Sequence, residues 1–237
     1  IQHLLLLSKG LTMENHSFFV NDSIGFITVP VPEHVYGNDV YQPEFMDVKI
    51  AGKNNFYYGN DITVNKLKVQ IKGNDNTLLI GSHTKLNGVI SIVGDNLTVF
   101  IGAGTSFQDV KIFCKGNNNG VYFGRDCMLS TEIEVRTSDS HSIISLTEKK
   151  KLNHEKGVFI GDHVWIAKRS LIQKGSVIPE DNIIGFGSMV NKPLIGSNKT
   201  FVGVPVKEVK SNVTWSRRAS EKKAILSLDD WKNLPYV

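Results

Sequence analysis

Cysteine is scarce: the 237 residues contain two, Cys114 and Cys127. Two thiols build no disulfide framework, and they leave too few soft ligands for a cysteine-based zinc site. Neither has a histidine close in sequence or a reactive-cysteine signature around it, so both are expected as packed free thiols. Long apolar runs are missing as well. The longest, residues 4–7, falls far short of the ~20 residues that cross a bilayer and of a secretory signal core. The sequence is therefore expected to be soluble and cytoplasmic. It begins at Ile1 rather than Met, so its true start is expected to be missing or processed. No Walker loop, dinucleotide fingerprint or metal constellation occurs, and no metal is expected. Strong charge bias is absent too: a net charge of +4 is well below that of a nucleic-acid binder. The excess is local. Residues 192–223 carry eight Lys/Arg against Glu208 and Glu221. That suits a phosphorylated small ligand, or equally a solvated basic surface.

What the sequence has is a beat of six. From residue 158 the hexads read VFIGDH, VWIAKR, SLIQKG, SVIPED, NIIGFG and SMVNKP. Their third positions are Ile160, Ile166, Ile172, Ile178, Ile184 and Val190. A helix repeats at 3.6 and a strand at 2, so a strict period of six fits neither alone. It predicts short strands joined by tight turns, three hexads to a triangular coil, with the bulky aliphatic pointing inward. The first positions are mostly small, and Gly161, Gly185 and Gly187 fall where the chain must turn.

Upstream the beat continues with longer turns. Ile80, Leu86 and Ile92 are six apart, as are Ile101, Phe107 and Phe113, then Phe123, Leu129 and Val135. The extra residues fall in Gly/Asn/Asp segments at 73–76, 94–96 and 116–119, which favour turns. The expected upstream coils are 21 or 22 residues long, three hexads plus an insertion, giving at least three enlarged coils followed by two regular ones. One coil cannot bury its own face, so stacking supplies the core. Residues 142–157 break the beat and are expected to leave the coil as an extended loop. The expected divisions are an irregular cap or subdomain at 1–48, a β-helix at 49–210, and a tail with a short helix at 211–237. The helix, over 220–231, is expected to cap the last coil with Ala224, Leu226, Leu228 and Trp231 as its apolar positions.

These hexads resemble the hexapeptide-repeat acyltransferases, whose coils form a left-handed parallel β-helix. Gly161-Asp162-His163-Val164-Trp165-Ile166-Ala167 resembles their G-x-x-V-W-I-G signature, with Ala167 in place of the last glycine. Gly203-Val204-Pro205-Val206-Lys207 resembles their terminal G-x-P-A-[KR] motif. The Asn-rich enlarged coils and the stretch from Ser211 to Arg217 are most similar to bacterial polysialic acid and capsular polysaccharide O-acetyltransferases. The left hand comes from this resemblance, since spacing alone does not fix it.

The resemblance implies a transfer of acetyl from acetyl-CoA to a sugar hydroxyl, on sialic acid or another capsular unit. It also implies a homotrimer whose active sites are shared between subunits, with the 142–156 loop reaching across. His141 lies six residues after Val135, just before the loop, and the histidine at this place is the family's general base. Imidazole suits that task because it exchanges a proton near neutral pH. Asp139 is two residues away, on the same face of an extended chain, and is expected to orient the ring; the alternative is an ordinary loop aspartate. Glu132 and Glu134 are weaker alternatives. Trp165 is expected to wall the thioester or the acceptor, or else simply to line a groove. The Ala167 amide is expected to bind the oxyanion, provided φ there is negative. For the donor, the family pattern maps onto Ala167, Lys168, Phe186, Asn191, Lys192, Lys207 and Lys210, the lysines acting as point charges on phosphates. His154 is a lesser candidate, and His163 is expected at a coil corner on the surface. Two other readings stay open: an N-acetyltransferase on an amino sugar or nucleotide sugar, and a non-catalytic carbohydrate-binding or structural β-helix.

Overall fold

The structure, a computed structural model, describes residues 46–228 and 230–233, and the backbone of three short strands before them. Those strands are His16–Asn21, Gly25–Val29 and His34–Tyr36. The first two pair antiparallel with each other, and the third pairs antiparallel with Asn55–Tyr58. The rest of the expected 1–48 cap lies outside the described residues, except 46–48, which belong to the first solenoid strand, Met46–Ala51.

From Met46 onward the chain winds into a parallel β-solenoid of about seven turns. Each turn has three flat faces. On the first, Met46–Ala51 pairs with the 67–72 stretch of Thr63–Lys72, which pairs with the start of Lys85–Ile101. The ladder then runs through Val110–Phe123, Ile133–Arg136, Leu171–Ile172 and Met189–Val190. The second face runs from Asn55–Tyr58 and Thr77–Ile80 to Val158–Ile160 and Val177–Ile178. The third ends in Met128–Leu129, Trp165–Ile166, Ile183–Ile184 and Lys199–Gly203.

The six hexad aliphatics from Ile160 to Val190 are all buried, and so are the small residues at the first positions. Ser170 and Ser176 spend their hydroxyls on the carbonyls of Gly185 and Val190 in the next coil. A small polar side chain at a corner thus satisfies a backbone acceptor that the tight turn would strand. Downstream, a side of the coil carries one or two paired residues. Upstream, the strands are longer, and alternation sends two or three residues inward per side. The six-residue count therefore slips at Phe113. Its neighbours Ile112 and Cys114 are buried, while Phe113 points outward beneath the cationic groups of Arg136 and Lys115. One enlarged turn is also longer than expected, since Ile112 pairs with Val135.

The enlarged corners are built by stacking like on like. Asn74 Oδ1 accepts from Lys53 N, Asp95 Oδ1 from Asn74 N, and Asn117 Oδ1 from Asp95 N. Beside this ladder Gly73 and Gly94 have φ of +120° and +137°, and a Cβ on either would strike the carbonyl of the glycine above. Both conformation and space demand glycine here.

Residues 138–156 leave the solenoid as a hairpin-like loop, closed at its base by Lys156 N donating to Thr137 O at 3.0 Å. The C-terminal helix is shorter than expected, Glu221–Leu226, and buries none of its residues. It does not provide the apolar cap: Leu226 and Leu228 are exposed. The solenoid is continued instead by Lys199–Gly203, which turns back into the antiparallel strand Val206–Ser211, with Phe201 and Val206 buried over the last coil. Trp231, in a short 3-10 turn, is the one expected apolar position of the tail that is buried.

Candidate active site

The expected site residues fall into two groups. One lies at the corner between the first and second faces, where the loop departs. Asp139 Oδ2 there accepts from Lys174 Nζ at 2.6 Å and from Asn153 Nδ2 at 2.7 Å. The Lys174 hydrogen bond, followed by that of Asn153, holds the Asp139 carboxyl below the usual range. The same Asn153 amide donates to the carbonyl of His141 at 2.8 Å, and its Oδ1 accepts from Ile143 N at 2.7 Å. His141 itself is exposed, and its ring has no hydrogen-bond partner among the described residues. Asp139 therefore does not hold the imidazole, as the sequence led one to expect. Its carboxylate is committed to Lys174 and Asn153, and it reaches His141 through the backbone. Asn191 and Lys192 stand exposed on the same corner, past Met189–Val190.

The second group lies on the third face and its following corner. Trp165 points outward between Met128 and Ile183 of the neighbouring coils and is half-buried, while Val164 and Ile166 on either side are fully buried. Ala167 is not among the residues with positive φ, so alanine fits where the family has glycine. Its N–H, however, donates to Ile184 O at 2.8 Å. That amide is part of the coil ladder, and in this arrangement it is not free for an oxyanion. Lys168 and Arg169 each hold one oxygen of Glu132 at 2.8 Å, which draws the Glu132 carboxyl down to about 2. Arg169 lies over the ring of Phe186, which is 64% exposed. Lys207 and Lys210 are exposed on the returning strand Val206–Ser211, with no carboxylate partner among the described residues.

The two groups do not meet within one chain. The corner that carries His141 lies across the triangular coil from the face that carries Trp165.

The residue most misjudged from sequence is His163. It does sit at a corner, but it is 3% exposed rather than on the surface. Its Nδ1 lies 2.9 Å from Asp126 Oδ2 and its Nε2 3.2 Å from the Trp215 carbonyl. Trp215 and Trp231 both stack on the imidazole, with ring centroids at 4.1 and 4.6 Å. Arg217 then binds Asp126 Oδ1, Ser106 Oγ and the carbonyls of Gly104 and Cys127. A sequence signal for this column existed. G-x-D, G-x-H or G-x-G recurs at 59–61, 81–83, 102–104, 124–126 and 161–163, and each third residue has positive φ. It marks the stacked corner between the second and third faces, onto which the tail folds.

Cys114 and Cys127 are buried, as expected, and burial pushes both thiols up to about 12. No group of His, Cys, Asp and Glu suited to a metal occurs among the described residues.

No protein-family model matches the chain. It is 32% identical over 171 residues to the polysialic acid O-acetyltransferase of Neisseria meningitidis, covering 71% of this chain and 78% of that protein. Among solved structures, the polySia-specific acetyltransferase NeuO superposes with a TM-score of 0.64 at 27% identity, over 75% of this chain and 92% of NeuO. The polysialic acid O-acetyltransferase OatWY gives 0.61 at 26% identity, over 74% of this chain and 90% of OatWY. The solenoid is thus the left-handed β-helix of an acyltransferase. The chain belongs to the polysialic acid O-acetyltransferase family.

Proposed function

We propose that this enzyme moves the acetyl group of acetyl-CoA to a hydroxyl of a sialic acid unit in a capsular polymer, in the bacterial cytoplasm. The observation that carries the reading is His141: an exposed imidazole with neither nitrogen partnered among the described residues, at the loop corner, in a chain of this family. Its ring nitrogen takes the proton as the sugar hydroxyl oxygen attacks the thioester carbonyl. The tetrahedral intermediate then expels the CoA sulfur, which receives that proton from the imidazolium. Asp139 and Lys174 fix the His141 backbone through Asn153, so that the ring is presented without being tied up. Trp165 walls the site, while Lys168, Phe186, Lys207 and Lys210 face the donor, and Asn191 and Lys192 border it.

Because His141 and Trp165 lie on opposite sides of the coil, the complete site is formed between copies in a homotrimer. Exposed Ile143, Ile144, Leu146 and Leu152 on the loop support this, since such apolar side chains gain by burial against a neighbour. The test is release of free CoA thiol with polysialic acid as acceptor. Release by wild type, lost in His141→Ala, and acetyl on the product removable by mild base, are expected. Release that survives the substitution rejects His141 as the base. An acetyl that resists mild base rejects the ester.

A further inference from the structure

Cations are not spread evenly around the solenoid. The outward row of the second face reads Tyr57, Leu79, Phe100, Tyr122 and Phe159. That of the third reads Thr63, Lys85, Ser106, Met128 and Trp165. On the first face, by contrast, Lys49, Lys68, Lys72 and Lys111 are all exposed, and none has a carboxylate partner among the described residues. Downstream, Lys168, Arg169, Lys174, Lys199 and Arg217 are each neutralised by an acid, and the exposed Lys207 and Lys210 lie apart on the returning strand. The acids on the first-face strands are Asp47, in register beside Lys68, and Glu134, in register beside Lys111 and engaged by Arg136, so cations still outnumber acids on this face. Asp75 and Asp95 border the face at its corner, where Asp95 Oδ1 is turned to the Asn74 amide.

The register sets the spacing. Lys68 pairs with Val89, and Val89 with Lys111; Lys72 pairs with Val93, and Val93 with Lys115. Strands stack ~4.8 Å apart, so each lysine pair is ~10 Å apart along the solenoid axis. The Lys72 row ends at the loop corner, where Lys115 Nζ donates to Ser140 Oγ at 3.4 Å, next to His141, while the Lys68 row runs from Asp47 to Glu134 along the other edge of the face.

We propose that the first face is the track on which an anionic polysaccharide acceptor lies as its reacting unit reaches His141. The inference rests on the transferase reading above. A polymer with a carboxylate on each sugar can meet several of these unpaired cations at once, whereas a short acceptor reaches only the corner. Many weak contacts on one chain add as an effective concentration at the site. Opposing unpaired charges are also screened by salt, with a Debye length of ~8 Å at physiological ionic strength.

The experiment compares Lys68→Glu/Lys111→Glu with Lys85→Glu, a single reversal on the third face, and Lys68→Gln/Lys111→Gln, which removes charge without reversing it. Binding of long polysialic acid is measured directly, and turnover is measured with long polymer and with a short sialic acid oligomer. For the double reversal we expect about a tenfold loss of polymer affinity and a matching rise in polymer KM, with a flatter dependence on salt. The double glutamine should fall between it and wild type. KM for the oligomer and for acetyl-CoA should stay within about twofold, as should everything in Lys85→Glu. Equal effects from both faces, unchanged polymer binding in the double reversal, or no binding by wild type would each overturn the track. Failure of the transferase reading looks different: wild type would bind polymer, lose that binding in the double reversal, and release no thiol.

Discussion

Trp215 and His163 hold each other by two hydrogen bonds and a stack. The indole N–H donates to the His163 carbonyl at 2.8 Å, the imidazole Nε2 lies 3.2 Å from the Trp215 carbonyl, and the ring planes are 10° apart. Fifty-two residues separate them in the chain. The pair fastens the tail to the corner of the coil that presents Trp165, whose ring lies 6.2 Å from that of Trp215.

This pair should be a large share of what holds the tail. Trp215→Ala should lower unfolding free energy by about 3–5 kcal/mol, through lost burial and stacking. Trp215→Phe, which keeps a ring and loses the indole donor, should cost about 1 kcal/mol more than the reduced packing alone. Urea titration followed by circular dichroism measures both. Since the chain has only three tryptophans and all contact this cluster or its neighbour Trp165, intrinsic fluorescence reports local release of the tail.

His141→Ala should reduce turnover by about 10²- to 10⁴-fold, the range for loss of a general base. Because the ring is exposed and unpartnered, the thermal midpoint should barely move. A large fall in the midpoint would mean that the residue supports the fold instead.

Asp139 and Glu155 make the loop base sensitive to acid. Lys174 and then Asn153 lower the Asp139 carboxyl, and Lys151 lowers that of Glu155 through a 2.7 Å hydrogen bond. A folded-state pKa below the unfolded value means that the stabilisation is present above the unfolded value, about 4, and is lost as pH falls through the folded one. Hydrogen exchange in residues 138–156 should therefore accelerate as pH falls below about 4 while the coils stay protected. Asp139→Asn should show faster exchange in this loop already at neutral pH.

The core ladder predicts its own costs. Ile166→Ala removes a fully buried side chain from a stack in which Leu129 and Ile184 lie directly above and below. The loss should be about 2–5 kcal/mol by urea titration, because parallel coils cannot close over the cavity.

Cys114 and Cys127 should not react with a thiol reagent until the protein unfolds. Both are fully buried, and their thiols are pushed up to about 12, so thiolate is scarce near neutral pH. Two thiols per chain should appear in denaturant and none before it. A fast-reacting thiol in the native protein would contradict the packing.

The hexads of 158–193 determined the coil by themselves. A period of six in the aliphatics is a local property of the chain, and the same residues that set the period fill the interior. The same logic marked the loop, since a break in the beat must leave the coil. It failed at Phe113, where a longer strand turned the inward positions by one residue, and it set the apolar residues of 220–231 in a cap that Phe201 and Val206 provide instead. The partners of Asp139, the commitment of the Ala167 amide and the burial of His163 were decided by tertiary structure alone. Lys174, Ile184 and Trp215 reach these groups from 35, 17 and 52 residues away. Spacing says which residues stack in register, but not which side chain of another coil, or of a returning tail, takes a given hydrogen bond. That choice is made only when the faces of the solenoid and the segments crossing them are closed together in three dimensions.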